Sequence, residues 1–221
     1  MAARRLNLPD SASVARTGPD ARLFAPSAAR NRTAILDALA RLVPPKGRAL
    51  EIASGTGEHM VALARRFPDL SWQPTDIAPE RRASISAWLK HEGLSQAVAP
   101  PLHLDATAPG WGRELAGQDV ILLVNLLHLI SDAETETLIA EAAQALAPGG
   151  VFVAYGPFLR GTSFASDGDR EFHQSLRAQD AEIGYKSFEW VQSKQKAAGL
   201  VPAQPVDMPA SNLMLVAQRP G

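Results

Sequence analysis

The chain has no cysteine among its 221 residues, which excludes disulfides and zinc–thiolate sites. Aromatic residues are scarce at 6%, and Trp72, Trp88, Trp111 and Trp190 are scattered, the distribution of packing residues and not of a base-stacking platform. Neither sign of charge is in excess: 22 Lys and Arg face 23 Asp and Glu. Non-specific binding to nucleic acid needs clustered positive charge to displace counterions, so a nucleic-acid partner is not expected. Long apolar runs are missing as well. The most apolar stretch, Val120 to Ile130, suits a buried strand and its following loop and is too short to span a bilayer, so no membrane partner is expected either. Met1 to Pro9 carries two arginines without the hydrophobic stretch of a secretory signal. His59, His91, His103 and His173 lack metal-ligand spacing, and no metal site is predicted. Together these absences predict an ordinary globular protein of the cytoplasm.

What is present is 46% hydrophobic residues in a length that suits one domain. Residues 1–26, rich in Ala, Arg, Pro and Ser without clear periodicity, are expected to form a mostly irregular arm, and 27–221 a single domain. Ala34, Ile35, Ala38, Leu39 and Leu42 recur at helical spacing after Asn31, and Pro44-Pro45 stops that helix. Short apolar runs then alternate with amphipathic segments. Strands are predicted at Ala49 to Ala53, Ser71 to Thr75, Leu102 to Asp105, Asp119 to Asn125 and Val151 to Tyr155. Helices are predicted from Glu58 to Phe67, from Pro79 to near Gly93, and from the capping box Ser131-x-x-Glu134 to Pro148-Gly149-Gly150. A helix from Ser187 to Ala198 precedes Leu200 to Val206 and Leu213 to Gln218, whose connection is too short for a crossover, so that pair is antiparallel. The alternation predicts an α/β, doubly wound (Rossmann-like) sheet of the class I methyltransferase kind: five parallel strands, an antiparallel terminal pair, and helices on both faces.

In such a sheet ligands lie outside the carboxyl ends of the strands, where the loop Glu51-Ile-Ala53-Ser54-Gly55-Thr-Gly57 falls. Gly55 and Gly57 permit positive φ and let backbone N–H groups approach a ligand. Three residues beyond Gly57 stands Met60, so the third glycine of a dinucleotide fingerprint is missing, and no Gly-Lys-Ser/Thr follows for a Walker loop. Glu51 sits inside the strand, where a carboxylate is costly without a partner. S-adenosylmethionine has an ammonium group and no pyrophosphate, and suits such a strand end; a salt bridge to Arg48 is the alternative. Asp76 ends the second strand, about 25 residues on, the spacing of a carboxylate that reaches a ribose diol. It could equally cap the helix at Pro79. Asp105 ends the third strand, where it would accept from an adenine amino group or simply make a turn, and Asn125 ends the fourth. Ile77 and Ala106, beside these residues, complete the candidate cofactor set together with Asn31.

These residues resemble a known family. Ala25-Pro-Ser-Ala-Ala-Arg-Asn31, Leu50-Glu-Ile-Ala-Ser-Gly-Thr-Gly-Glu-His59, Trp72-Gln-Pro-Thr-Asp76, Asn125-Leu-Leu-His128, Tyr155-Gly-Pro-Phe158 and Met208-Pro-Ala-Ser-Asn212 are similar to the poorly characterised family that includes methyltransferase-like protein 26. The resemblance spans roughly residues 20–219 and implies a class I methyltransferase-like fold with an S-adenosylmethionine site, but no substrate. Ala53, where many methyltransferases carry a first glycine, matches that family's own loop, and Leu126 and Leu127 depart conservatively from its Met and Ile.

Methyl transfer needs a base only when the acceptor carries a proton that must leave. His128, three residues past Asn125, is the first candidate base, and Tyr155, at the end of the fifth strand, a candidate to hydrogen-bond an acceptor. Arg30 and Asn31 sit just ahead of the first helix, where they would close over the cofactor or where Asn31 would cap the helix. Arg160 and Asn212 are weaker substrate-site candidates. Three functions are compatible: a methyltransferase acting on a small molecule or protein side chain, a non-catalytic binding or regulatory protein on the same fold, and an NAD-dependent reductase, which Met60 disfavours.

Overall fold

The structure is a computed structural model that describes residues 15–18 and 20–221. The chain divides into two compact units, one ending at Asp105 and the other running from Ala106 to Gly221. The fold class is the expected one: mixed α/β with mostly parallel strands.

The first unit opens with two short antiparallel strands, β1 (Arg16–Thr17) and β2 (Leu23–Phe24), which the sequence did not predict. Most of the predicted arm, residues 1–14 and Pro19, lies outside the described residues. Helix α1 (Pro26–Leu39) begins earlier than expected. Ala25 is extended and Pro26 stands at the first helical position, where its fixed φ favours the helix and its missing N–H costs nothing. Asn31 is therefore neither ahead of the helix nor its cap; it lies inside α1. There follow β3 (Gly47–Ile52), α2 (Glu58–Arg66), β4 (Leu70–Asp76), α3 (Pro79–His91) and β5 (Leu102–His103). β4 pairs in parallel with β3 (Glu51 opposite Pro74) and with β5 (Asp76 opposite His103). The last four residues of β3 are buried, as a strand covered on both faces requires, and Ile35, Met60, Leu63, Trp72 and Ile85 of the same unit are buried too. β5 is only two residues long, so Asp105 lies beyond the strand it was expected to end.

The second unit contains α4 (Trp111–Glu114), β6 (Gln118–Val124), a 3-10 turn (Leu127–Leu129), α5 (Asp132–Ala145), β7 (Leu146–Gly156), α6 (Asp167–Gln179), α7 (Phe188–Ala197), β8 (Val201–Pro202), β9 (Val206–Asp207) and β10 (Leu213–Gln218). β6 and β7 are parallel, and β10 runs antiparallel to β7, β8 and β9. The Ser131–Glu134 capping box is present in full. Helix α5 stops at Ala145 and not at Pro148-Gly149-Gly150. Those residues instead form an irregularity in β7, where the register jumps from Gln118 opposite Leu146 to Val120 opposite Val151. Among the described residues, no helix is long and apolar enough to cross a membrane, and no cluster of His, Asp and Glu could hold a metal.

Candidate functional site

In the first unit the chain leaves β3 through a turn that backbone geometry dictates. Ala53 takes a left-handed φ of 52°, and Gly55 and Gly57 take 60° and 93°. The Ser54 amide donates to the Thr75 carbonyl (2.7 Å), and its hydroxyl accepts from the Thr75 amide (3.2 Å). The Thr75 hydroxyl in turn donates to the Glu51 carbonyl (2.9 Å), so the loop after β3 is stitched to the end of β4. The two glycines serve different ends. A Cβ on Gly57 would stand 2.8 Å from the Ile85 Cα, so this glycine lets α3 approach. A Cβ on Gly55 would meet only the Ala53 carbonyl, at 3.9 Å, leaving open space over the turn.

Two carboxylates border this turn. Glu51 is 1% exposed, and its Oε2 is a buried oxygen without a hydrogen-bond partner. Burial pushes its carboxyl up to about 8; the Ser54 hydroxyl lowers it in part and the neighbouring Asp76 raises it further. Asp76, also buried, accepts from the amides of Gly55 (3.0 Å) and Ala78 (2.9 Å), and burial raises it against the pull of those two bonds. It is thus the brace between loop and α3 as well as a strand-end acid. Ile77 beside it is 38% exposed, an apolar side chain open at the strand end. Arg82 holds this turn through the carbonyls of Asp76 and Ile77 and through His103 Nδ1. Asp105 closes the unit.

Helix α2 leaves the loop with Gly57 at its N-cap and no side chain capping it. Glu58 Oε2 accepts from Thr56 Oγ1 (3.0 Å) and from the Ala25 amide (2.6 Å), and Ser84 Oγ joins the Leu23 amide to the Thr56 carbonyl. The segment before α1 is thereby tied to the residue between the two glycines. His59 Nε2 lies 2.8 Å from Asn31 Oδ1, and burial, with the Arg32 charge, lowers the imidazole to about 4. His59 lies beside this loop, and sequence reasoning did not single it out as a candidate, because a lone histidine carries no spacing signal.

In the second unit Asn125 follows β6 in a left-handed conformation (φ 57°) that asparagine tolerates, its amide bonded to the Tyr155 carbonyl at 2.8 Å. Tyr155 is buried in β7, one residue before that strand ends. Ala106 is buried and its carbonyl accepts from Trp111 Nε1. His128 lies in the 3-10 turn, buried against Phe172 and Tyr185 with ring centroids 5.7 and 6.0 Å away. Burial, and secondarily the Lys186 charge, lowers it to about 3, so its ring is neutral at physiological pH. Arg160 reaches Asp207 and the Ser211 carbonyl, and the Asn212 side chain bonds within its own turn, to the Pro209 and Ala210 carbonyls.

A model of a family described as a protein of unknown function, DUF938, matches residues 22–219. Among solved structures, an O-methyltransferase family protein from Burkholderia thailandensis superposes with a TM-score of 0.71 at 20% identity, over 86% of this chain and 60% of its own. Human N-acetylserotonin methyltransferase, solved in complex with S-adenosylmethionine, gives 0.72 at 16% identity, over 88% and 53%. An O-methyltransferase family 2 protein from Planctomyces limnophilus gives 0.69 at 19% identity, over 87% and 60%. The chain thus spans between 53% and 60% of the length of these proteins, and at such identities the likeness establishes the methyltransferase fold.

Proposed function

Because the chain belongs to the DUF938 family and has a methyltransferase fold, we propose that it is an S-adenosylmethionine-dependent methyltransferase acting on a small molecule or a protein side chain. The observation that carries this is Glu51 Oε2: a buried oxygen left without a partner beside a glycine turn. A ligand group seated there would supply the partner, and a buried polar atom left unsatisfied costs on the order of 1–3 kcal/mol. A cationic ammonium answers it; a pyrophosphate would be repelled. The open space over Gly55 lets a ligand approach the backbone.

Glu51 would hold the ammonium, Ser54 to Gly57 the methionine end, Asp76 the ribose hydroxyls, and Ile77 and Asp105 the adenine. When bound, the cofactor supplies an electrophilic methyl group. The chain's contribution is then to orient and exclude water, since positioning alone lowers the barrier of a displacement substantially. A general base works best near the operating pH, which a histidine lowered to about 3 is not, so we assign His128 and Tyr155 to the acceptor environment rather than to proton removal.

That same burial of His128 favours a second reading, a cofactor-binding protein without turnover. Incubation with methyl-labelled S-adenosylmethionine and fractionated cell extract separates the two. Label in a small-molecule or protein fraction supports the transferase, whereas binding without label in any fraction supports the second reading.

A further inference from the structure

Asn31 is a polar residue inside a helix, 8% exposed, in a position where asparagine is a poor helix former. Its Oδ1 lies 2.8 Å from Nε2 of His59, two residues past Gly57. A carbonyl oxygen only accepts, so His59 Nε2 carries the proton and Nδ1 the lone pair. With Oδ1 engaged, Asn31 Nδ2 is left with two N–H donors and, among the described residues, no acceptor. Burial and the Arg32 charge keep the imidazole that holds it neutral near neutral pH.

A second observation points the same way. The amides of Glu58, His59 and Met60 precede the first intrahelical bond of α2, from Val61 to Gly57, and the N-cap glycine offers them no side-chain acceptor. The one acid in this turn, Glu58, has its Oε2 engaged by Ala25 and Thr56. The Asn31 amide thus meets a side chain of the first turn of α2 at the exit of the loop, while the orphaned acceptor, Glu51, stands at its entrance. Such an arrangement matches a ligand end bearing both charges, an α-amino-carboxylate.

We infer that Asn31 recognises an α-carboxylate on the ligand of this loop and that His59 is the positioning residue that fixes its amide. The inference rests on the S-adenosylmethionine reading and adds to it the residues that distinguish a carboxylate-bearing ligand from a nucleoside thioether.

Calorimetry on the full chain with three probes tests it: S-adenosylhomocysteine, decarboxylated S-adenosylmethionine, and 5′-deoxy-5′-methylthioadenosine, the last two lacking the carboxylate. Asn31→Ala is expected to weaken S-adenosylhomocysteine about tenfold, the size of one charge-assisted hydrogen bond, and to change the other two less than about twofold. Asn31→Asp, nearly isosteric and the variant of choice should the alanine form unfold, weakens S-adenosylhomocysteine further by presenting a like charge. His59→Ala gives a smaller loss with the same ligand selectivity, and His59→Gln, which keeps a donor, restores part of it. A folded variant set that loses all three ligands equally, or loses none, overturns the assignment of Asn31 and His59 while leaving the cofactor reading intact. Folded wild-type protein that binds no adenosyl ligand overturns the cofactor reading, and this inference with it.

Discussion

Asp76 Oδ2 accepts the amide of Gly55 at 3.0 Å, so the acid at the end of β4 holds the shape of the loop at the end of β3. With Oδ1 on the Ala78 amide, one carboxylate positions the glycine turn and the start of α3 together. Asp76→Ala is therefore expected to lose S-adenosylmethionine affinity by more than about tenfold, through both the ribose contact and the loosened turn. Asp76→Asn, which can still accept at one oxygen, is expected to fall between. Wild-type affinity in both variants would show that the ribose contact is misplaced.

The two loop glycines separate folding from binding. Gly57→Ala drives a Cβ to 2.8 Å from the backbone of Ile85 and adds left-handed strain, so thermal denaturation is expected to reveal a marked loss of stability. Gly55→Ala meets nothing closer than 3.9 Å and bears only the left-handed cost, roughly 1–2 kcal/mol. Its melt is expected to stay within a few degrees of wild type while cofactor affinity drops, since the methyl group occupies the open space over the turn. Equal stability losses in the two variants would contradict this division.

Glu51 makes stability depend on pH in a direction opposite to that of most carboxylates. Its carboxyl is raised in the native state to about 8, against 4.5 in the unfolded chain. Between those values the native state holds a proton that the unfolded state has released, so its stabilising contribution is complete below pH 4.5 and disappears as pH rises through 8. Glu51→Gln removes that dependence. The stability of the variant relative to ligand-free wild type is expected to rise across this window, by at most about 1.4 kcal/mol per pH unit. Urea denaturation of both proteins across the window measures it, and parallel curves would rule out a buried, protonated Glu51.

Much of this site was legible because the signals are local. The five apolar residues Val120 to Val124 need only a covered strand, Ser131 and Glu134 cap a helix within four residues, and Gly55 and Gly57 announce a turn. Glu51 stood out as a charge inside an apolar strand, but that its Oε2 has no partner depends on side chains brought together by the fold. The β1–β2 pairing left no trace, because its hold comes from Ser84 and Trp88, more than sixty residues away, which bond the Leu23 amide and carbonyl. Helix α1 had its proline signal at Pro26, but the Ala-rich turn after it lacks the apolar periodicity by which helices are recognised. His59 became visible only once α1 placed Asn31 against it.

Gln195, in α7, is fully buried, and both its amide atoms lack hydrogen-bond partners. Replacing it with methionine of similar shape removes that unsatisfied desolvation, on the order of 1–3 kcal/mol. Gln195→Met is expected to raise the melting temperature by several degrees, at about 2–4 °C per kcal/mol for a chain of this size. A lower melting temperature would mean that the amide is satisfied in solution.

The central claim, that the turn between Glu51 and Gly57 is the methionine-end cradle of an S-adenosylmethionine site, is tested most directly by calorimetric titration of S-adenosylhomocysteine in buffers of different ionisation enthalpy. Seating an ammonium on Glu51 requires that carboxyl to lose its proton, so binding near neutral pH is expected to release close to one proton, and Glu51→Gln to bind far more weakly without releasing it. Absence of binding, binding of NAD alone, or wild-type affinity and proton release in Glu51→Gln would contradict the claim.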